Sequence, residues 1–178
     1  MNRTIFLKYN LVGFFLFISS FSISSDECTA GKCTNGNGTM VYSNGAKYTG
    51  AFKNGKLHGK GVLVFPKEVD EDKDSINKYA YAEKYTGEFK EGKLHGQGIL
   101  IFQNGNSYEG EFFEDAFNGK GTYTYADGCI YIGEWLNDIP NGQGKLIWPS
   151  GNSYIGEFEG GKMNGEGNYY NYKESEKY

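Results

Sequence analysis

Three aspartates alternate along one charged segment of the chain, at Asp70, Asp72 and Asp74. Alternating carboxylates are the first ligands of a calcium-binding loop. The rest of that pattern is missing, because Ser75 stands in place of the turn glycine and Tyr81 in place of the bidentate glutamate. A solvated loop is the better interpretation of this segment, and the three aspartates are weak candidates for a metal site.

Two histidines and a row of glutamates are the remaining candidates for acid–base chemistry. His58 and His95 both occur in the segment Gly-Lys-Leu-His-Gly, where other copies have Asn, so backbone geometry explains them. The recurring glutamates are Glu88, Glu111, Glu134 and Glu157. A glycosidase would need one isolated carboxylate pair rather than a periodic row. We expect these glutamates to face solvent and to pair with lysines across strands. No catalytic residue and no cofactor is predicted, and we expect a protein that is not an enzyme.

Two cysteines near the N-terminus flank a short glycine-containing loop. Cys28 and Cys33 are predicted to form a disulfide that holds the first strand, if the chain is exported. The alternative is a pair of reduced thiols near a frayed terminus. Cys129 has no obvious partner and is expected to fill an ordinary strand position. The spacing of the pair, without a nearby histidine, is not that of a zinc site.

The elements that position these residues belong to an internal repeat with a period of 23 residues. Each copy begins with the pattern Tyr-x-Gly, followed two residues later by an aromatic. The first residues of the copies are Tyr48, Tyr85, Tyr108, Tyr131 and Tyr154. A fixed short period indicates stacked, similar units, so fold and style of function both follow from one unit.

Each unit is predicted to be a β-hairpin. A turn is expected at the Asn-Gly or His-Gly pairs, such as Asn118-Gly119, and an alternating apolar strand follows it. A second turn is expected at pairs such as Asn104-Gly105. The tyrosine, the glycine and the following aromatic lie on one strand face. The predicted fold is therefore all-β, an elongated single-layer ribbon of stacked hairpins with an aromatic strip as its core.

The pattern resembles the MORN family (membrane occupation and recognition nexus), whose unit has Tyr-x-Gly-x-Trp followed by Gly-x-Gly. Phe replaces the tryptophan in four of five copies, and Trp135 keeps it. Asp115 and Asp138 stand where other copies have Gly, a change that turn conformations tolerate. The resemblance implies scaffolding, localisation at membranes and, in some members, association with phospholipid.

The chain divides into four parts. Residues 1–25 are predicted to be a signal peptide, because Arg3 and Lys8 precede a short apolar run and then several serines. An uncleaved anchor is the main alternative, and lipidation at Cys28 a minor one. Residues 26–47 form a half-repeat that caps the array, and residues 48–172 hold five repeats with an insertion at 66–84. Residues 173–178 are a polar tail.

The net charge of the chain limits the classes of partner that it can bind. The chain carries 18 basic and 22 acidic residues, a net charge of −4. Cleavage after residue 25 would remove two basic residues and no acidic one, leaving about −6 and no arginine. Nucleic acid is therefore excluded as a partner, since phosphate contacts need a basic stripe. We expect a secreted, periplasmic or lumenal protein.

The aromatic strip is the predicted binding surface, presented as a groove to a protein partner or to another copy of the chain. Its candidate residues are Tyr85, Tyr108, Tyr131, Trp135, Trp148 and Tyr154. The insertion, where the chain departs from the repeat, is expected to carry specificity. Two alternatives stay open, a module that binds phospholipid at a membrane and a module that binds glycan or cell wall.

Overall fold

A computed structural model of the protein describes residues 26–66 and 81–172. These residues form twelve strands joined in one antiparallel sheet, in which neighbours along the chain are neighbours in space. The strands are β1 (Glu27–Gly31), β2 (Gly36–Val41), β3 (Lys47–Lys53), β4 (Lys56–Val64), β5 (Ala82–Lys90), β6 (Lys93–Phe102), β7 (Ser107–Phe113), β8 (Ala116–Thr124), β9 (Ile130–Leu136), β10 (Ile139–Ile147), β11 (Ser153–Glu159) and β12 (Lys162–Tyr170). The all-β ribbon of stacked hairpins is confirmed.

One row of glycines crosses the sheet in register. Each glycine of the row pairs with the next across the strand boundary, as Gly87 does with Gly98 and Gly98 with Gly110. The row begins at Gly31 in β1 and ends at Gly167 in β12. Because side chains alternate along each strand, this register aligns equivalent residues of all units into parallel rows on the two faces.

The first turn of each hairpin lies elsewhere than the sequence predicts. The chain reverses at Glu114-Asp115, where both residues have positive φ (48° and 72°), rather than at Asn118-Gly119. Gly119 has φ 63° within β8, where the pairing register shifts. The positive φ that suggested a turn therefore serves a β-bulge. The turns of the hairpins are Asn54-Gly55, Glu91-Gly92, Glu114-Asp115, Asn137-Asp138 and Gly160-Gly161.

The second turn of each unit is confirmed. The backbone N–H of Gly105 donates to the carbonyl of Phe102 at 3.0 Å, and that of Gly128 to Tyr125 at 2.9 Å. Gly105 has φ 85°, which explains why glycine follows Asn at this position.

The core is a strip of rings on one face, which we call the tyrosine face. Within one unit Tyr85 meets Phe89 edge to face, with ring centroids 5.0 Å apart. Tyr85 also contacts Phe112 of the next unit at 5.0 Å. Contacts within a unit alternate with contacts to the next unit, and together they join ten rings: Phe52, Tyr48, Phe89, Tyr85, Phe112, Tyr108, Trp135, Tyr131, Phe158 and Tyr154. Each edge-to-face pair contributes roughly 0.5–1.5 kcal/mol beyond its buried area.

The glycine row is what allows each tyrosine to lie flat on the sheet. A Cβ added to Gly133 would lie 2.6 Å from the hydroxyl of Tyr131 and 2.6 Å from the Cα of Gly144. The hydroxyl of Tyr131 donates to the carbonyl of Glu134 at 3.0 Å. The predicted arrangement of tyrosine, glycine and aromatic on one face is confirmed, and the glycine accommodates both the ring and the neighbouring backbone.

The aspartates that replace glycine at two turns connect successive hairpins. The carboxylate of Asp138 accepts from the backbone N–H of Phe117 at 3.0 Å, and its own N–H donates to the carbonyl of Phe117 at 3.0 Å. The carboxylate of Asp115 accepts in the same way from Leu94 at 2.8 Å. The substitution is thus more than tolerated, because it adds a hydrogen bond between units.

At the N-terminal end of the described residues, Cys28 and Cys33 form the predicted disulfide. Cys28 of β1 pairs with Met40 of β2, and Met40 in turn pairs with Tyr48 of β3. Both residues therefore lie at the register position that a tyrosine occupies in the repeats. A Cβ at Gly38 would lie 2.8 Å from the sulfur of Cys33. The sulfur therefore lies over Gly38 of the glycine row, where later units place a tyrosine ring.

Candidate functional site

The aromatic residues predicted to contact a partner are core residues. Tyr85, Tyr108 and Tyr131 are 0% exposed, and Trp135 is 3% exposed. Tyr154 is buried as well, and Trp148 is half-buried against the same core. Since a partner reaches little of these rings, the prediction of an exposed aromatic groove is corrected.

Burial also changes the acidity of these tyrosines. It raises the pKa of Tyr48 to about 12, because the phenolate would lose its hydration. Burial raises the pKa of Tyr85, Tyr108 and Tyr131 further. The rings are therefore neutral hydrogen-bond donors at physiological pH.

The opposite face of the sheet, which we call the back face, is the exposed one. On it, one side chain from each of the strands β2 to β12 lies next to the glycine row, and these side chains pair from each strand to the next. This isoleucine row comprises Thr39, Thr49, Val62, Thr86, Ile99, Glu109, Thr122, Ile132, Lys145, Ile155 and Asn168. Ile99, Ile132 and Ile155 are 40%, 44% and 41% exposed. Large apolar side chains therefore recur along an otherwise polar row.

A second row flanks the glycines on their other side. This glutamate row comprises Lys60, Glu88, Gln97, Glu111, Lys120, Glu134, Gln143 and Glu157. In the strand register, Glu88 lies opposite Lys60 and Glu134 lies opposite Lys120. Glu111 instead accepts a hydrogen bond from the backbone N–H of Lys120 at 2.9 Å. The glutamates are thus on the face away from the tyrosines, as expected.

A groove of about 530 Å³ lies between the two rows over β4 to β7. Its lining is Lys60, Gly61, Val62, Thr86, Gly87, Glu88, Gln97, Gly98, Ile99 and Glu109. The floor is the glycine row, one wall alternates apolar residues (Val62 and Ile99) with polar ones (Thr86 and Glu109), and the other wall is polar and charged. Such a groove suits a macromolecular contact with an apolar centre and a polar border.

Of the remaining candidates, those within the described residues form no reactive constellation. Asp70, Asp72 and Asp74 lie outside the described residues. His58 lies 3.9 Å from the carboxylate of Glu91, and His95 packs on Phe113. Across residues 26–66 and 81–172, no group of three or more His, Cys, Asp and Glu side chains is arranged to hold a metal ion.

The structure describes both ends of the insertion predicted at 66–84. β5 begins at Ala82, and Lys84 pairs with Val64. Sequence reasoning placed the end of the insertion just before Tyr85, the tyrosine of the second repeat, and gave no sign of the strand residues that precede it. None of the described residues forms a helix long and apolar enough to cross a membrane.

Sequence reasoning missed the isoleucine row as a site. The signal was present in the variable residue between each repeat tyrosine and glycine, which is Ile132 or Ile155 in later units. A variable, partly apolar position on an exposed face is a better indicator of binding than an invariant aromatic that the core requires.

Comparison with known proteins establishes the family. The sequence model of the MORN repeat matches residues 34–47, 48–68, 85–107, 108–130, 131–153 and 154–172. The chain therefore belongs to the MORN-repeat proteins, as the resemblance indicated. No curated protein matches it. Among solved structures, it is similar to the TCP domain of SAS-4 (dCPAP) of Drosophila melanogaster, determined with a proline-rich motif of Ana2 (dSTIL). That similarity has 16% identity and a TM-score of 0.41, over 76% of this chain and 71% of the other.

Proposed function

We propose that this protein is an exported, non-enzymatic interaction module that binds a protein partner through its back face. A repeat-type interaction module is what MORN repeats suggest. The observation that carries the proposal is the contrast in exposure. The tyrosine face is buried throughout its ring strip, whereas Ile99, Ile132 and Ile155 are 40–44% exposed in one row beside a groove.

The composition of the back face supports a protein partner. Protein interfaces combine an apolar centre with a polar border, and the two rows provide these side by side. Four glutamates in the second row oppose the binding of anionic phospholipid, whose headgroups carry the same charge. We therefore prefer a protein partner to a membrane surface.

Export is supported by two independent features. Residues 1–25 have the layout of a signal peptide. The disulfide between Cys28 and Cys33 is of the kind that persists in oxidising compartments. The protein would then act outside the cell, in a periplasm or in a lumen.

Capture of a partner from native extract tests the proposal. Residues 26–178 contain every described strand and serve as bait. We expect Ile155→Lys to abolish capture, because it places a charge at the apolar centre. Met163→Lys is the matched control, since Met163 is also 41% exposed but lies opposite Phe158 on the tyrosine face. Equal capture by both variants would contradict the proposal.

The alternatives have their own readouts. The membrane module would be favoured if the protein floated with anionic phospholipid vesicles, if Ile155→Lys left this flotation unchanged, and if no protein partner were captured. Retention on cell-wall or glycan resin would favour the glycan module.

Deletion of residues 67–80, which leaves β4 and β5 intact, is expected to change which partner is captured rather than the fold.

A further inference from the structure

If a second copy of the sheet is placed over the back face with its strand order reversed, the two back faces are complementary. We propose that the partner of the back face is a second copy of this chain, bound back face to back face with a two-fold axis parallel to the strands and between β7 and β8. This inference rests on the proposed function and names its partner. Two-fold symmetry is the commonest arrangement of soluble homo-oligomers.

The symmetry operation fixes which residues meet. A two-fold axis parallel to the strands keeps each row opposite the same row of the second copy, but reverses the strand order. With the axis between β7 and β8, β6 lies over β9 of the second copy, and β4 over its β11. Two sheets packed face to face are about 10 Å apart, which brings opposing side chains into contact.

The apolar residues then meet one another. Ile99 on β6 faces Ile132 of the second copy, and Val62 on β4 faces its Ile155. Symmetry repeats each contact once more. The groove over β4 to β7 lies above β8 to β11 of the second copy, so the exposed isoleucines enter it. The groove and the isoleucines that fill it thus come from different halves of one sheet.

The charged residues are also complementary in this register. In the glutamate row Lys60 faces Glu157 of the second copy, and Glu111 faces its Lys120. Gln97 faces Glu134, and Glu88 faces Gln143. In each of these pairs the glutamine amide can donate a hydrogen bond to the glutamate carboxylate, and no like charges meet. No two like charges meet in this row, and opposite charges across an interface fix its register.

Each neighbouring register loses either the apolar match or the charge match. An axis through β7 itself would place Glu109 opposite Glu109 and Glu111 opposite Glu111. Moving the axis to lie between β6 and β7 would place Ile99 opposite Glu109. Moving it between β8 and β9 would place Glu88 opposite Glu166, which lies between two glycines of β12 as Lys120 does in β8. The axis between β6 and β7 also places Glu88 opposite Lys120, but it leaves Ile99 against a carboxylate. Of the registers compared, the axis between β7 and β8 is the one that gives Ile99 an apolar partner and places no like charges opposite each other.

Cysteine cross-linking tests the register directly. In residues 26–178, Ile99→Cys/Ile132→Cys would place two thiols three strands apart, about 14 Å, which is too far for a disulfide within one chain. Between the copies they face each other. Val62→Cys/Ile132→Cys is the mismatched control, and Ile132→Cys alone controls for Cys129. We expect about tenfold more covalent dimer, on oxidation, from the matched pair than from either control.

Charge exchange provides a second test that does not depend on thiols. Sedimentation should show that Lys60→Glu weakens the dimer about tenfold and that Lys60→Glu/Glu157→Lys restores it, since the pair is exchanged on both copies. A chain that sediments as a monomer, or cross-linking no better for the matched pair, would overturn the inference. If Ile155→Lys nevertheless abolishes capture of a different protein, the proposed function stands without the dimer.

Discussion

The tyrosine face of the sheet is nearly the same in every repeat, whereas the back face changes from one repeat to the next. Tyr85 and Tyr131 make the same ring contacts and the same hydrogen bond to the carbonyl three residues on. The residue that follows each of them is Thr86 in one unit and Ile132 in the other. Since only one face carries the core, the other is free to vary without loss of the fold.

This contrast separates stability from binding within single strands. A substitution on the tyrosine face is expected to act on the folding equilibrium, and one on the back face to act on association. Adjacent residues along a strand therefore belong to different functions. The predictions below test how sharp this division is.

Alkaline pH is expected to have the largest effect, because it acts on several core tyrosines at once. Burial raises the pKa of Tyr48 from 10.0 to about 12, and those of Tyr85 and Tyr131 further. Below pH 10 these groups are protonated in the folded and the unfolded chain, so their contribution to stability is fully present. Above pH 10 the unfolded chain loses these protons first, and the contribution is lost through pH 12 and beyond.

The expected loss at pH 12 is about 2–3 kcal/mol for each of Tyr48, Tyr85 and Tyr131. Denaturant midpoints measured between pH 9 and pH 12 would show it, and Tyr131→Phe should make the decline shallower. Stability that stays constant up to pH 12 would contradict the tyrosine-based core.

A side chain on the glycine row is expected to be the most damaging single substitution. In Gly133→Val the new Cβ would lie 2.6 Å from the Cα of Gly144 and 2.7 Å from the carbonyl oxygen of Gln143. We expect a loss of about 3–5 kcal/mol, since backbone on both sides must move. The midpoint of urea unfolding measures this, and Ile132→Val is the matched control. An unchanged midpoint would show that the stacked hairpins do not need the glycine row.

Removal of the disulfide is expected to have a smaller and local effect. Cys28 and Cys33 enclose a short loop, so the chain-entropy estimate is about 2 kcal/mol at most. Hydrogen exchange of Cys28→Ser/Cys33→Ser should accelerate in β1 and β2 and stay unchanged in β7 to β10. Acceleration across the whole sheet would mean that the cap controls the stability of all repeats.

Much of the fold was predictable, because the repeat imposes the same local rule many times. The alternation of tyrosine, glycine and aromatic predicted one face correctly, and Asn104-Gly105 predicted its turn. The hairpin turn was misplaced, since the positive φ of Gly119 serves a bulge, and sequence alone does not distinguish these uses of glycine. The positive φ of Glu114 had no sequence signal, because glutamate rarely adopts it.

The site was harder to predict than the fold. The number of large rings on the tyrosine face suggested a binding surface, but burial depends on how one hairpin covers the next, as Phe112 covers Tyr85. The isoleucine row becomes apparent only when the register places Ile132 and Lys145 side by side. Cross-strand neighbours are far apart in sequence, so the composition of one unit does not reveal them.

Two adjacent residues of β9 lie on opposite faces of the sheet and so separate stability from binding within one strand. Ile132→Lys and Gly133→Val should be compared for unfolding free energy and for association, either self-association or partner capture. We expect Ile132→Lys to keep stability within about 0.5 kcal/mol and to lose association, while Gly133→Val loses several kcal/mol. A destabilised Ile132→Lys that still associates, or a Gly133→Val of normal stability, would contradict the division between the two faces.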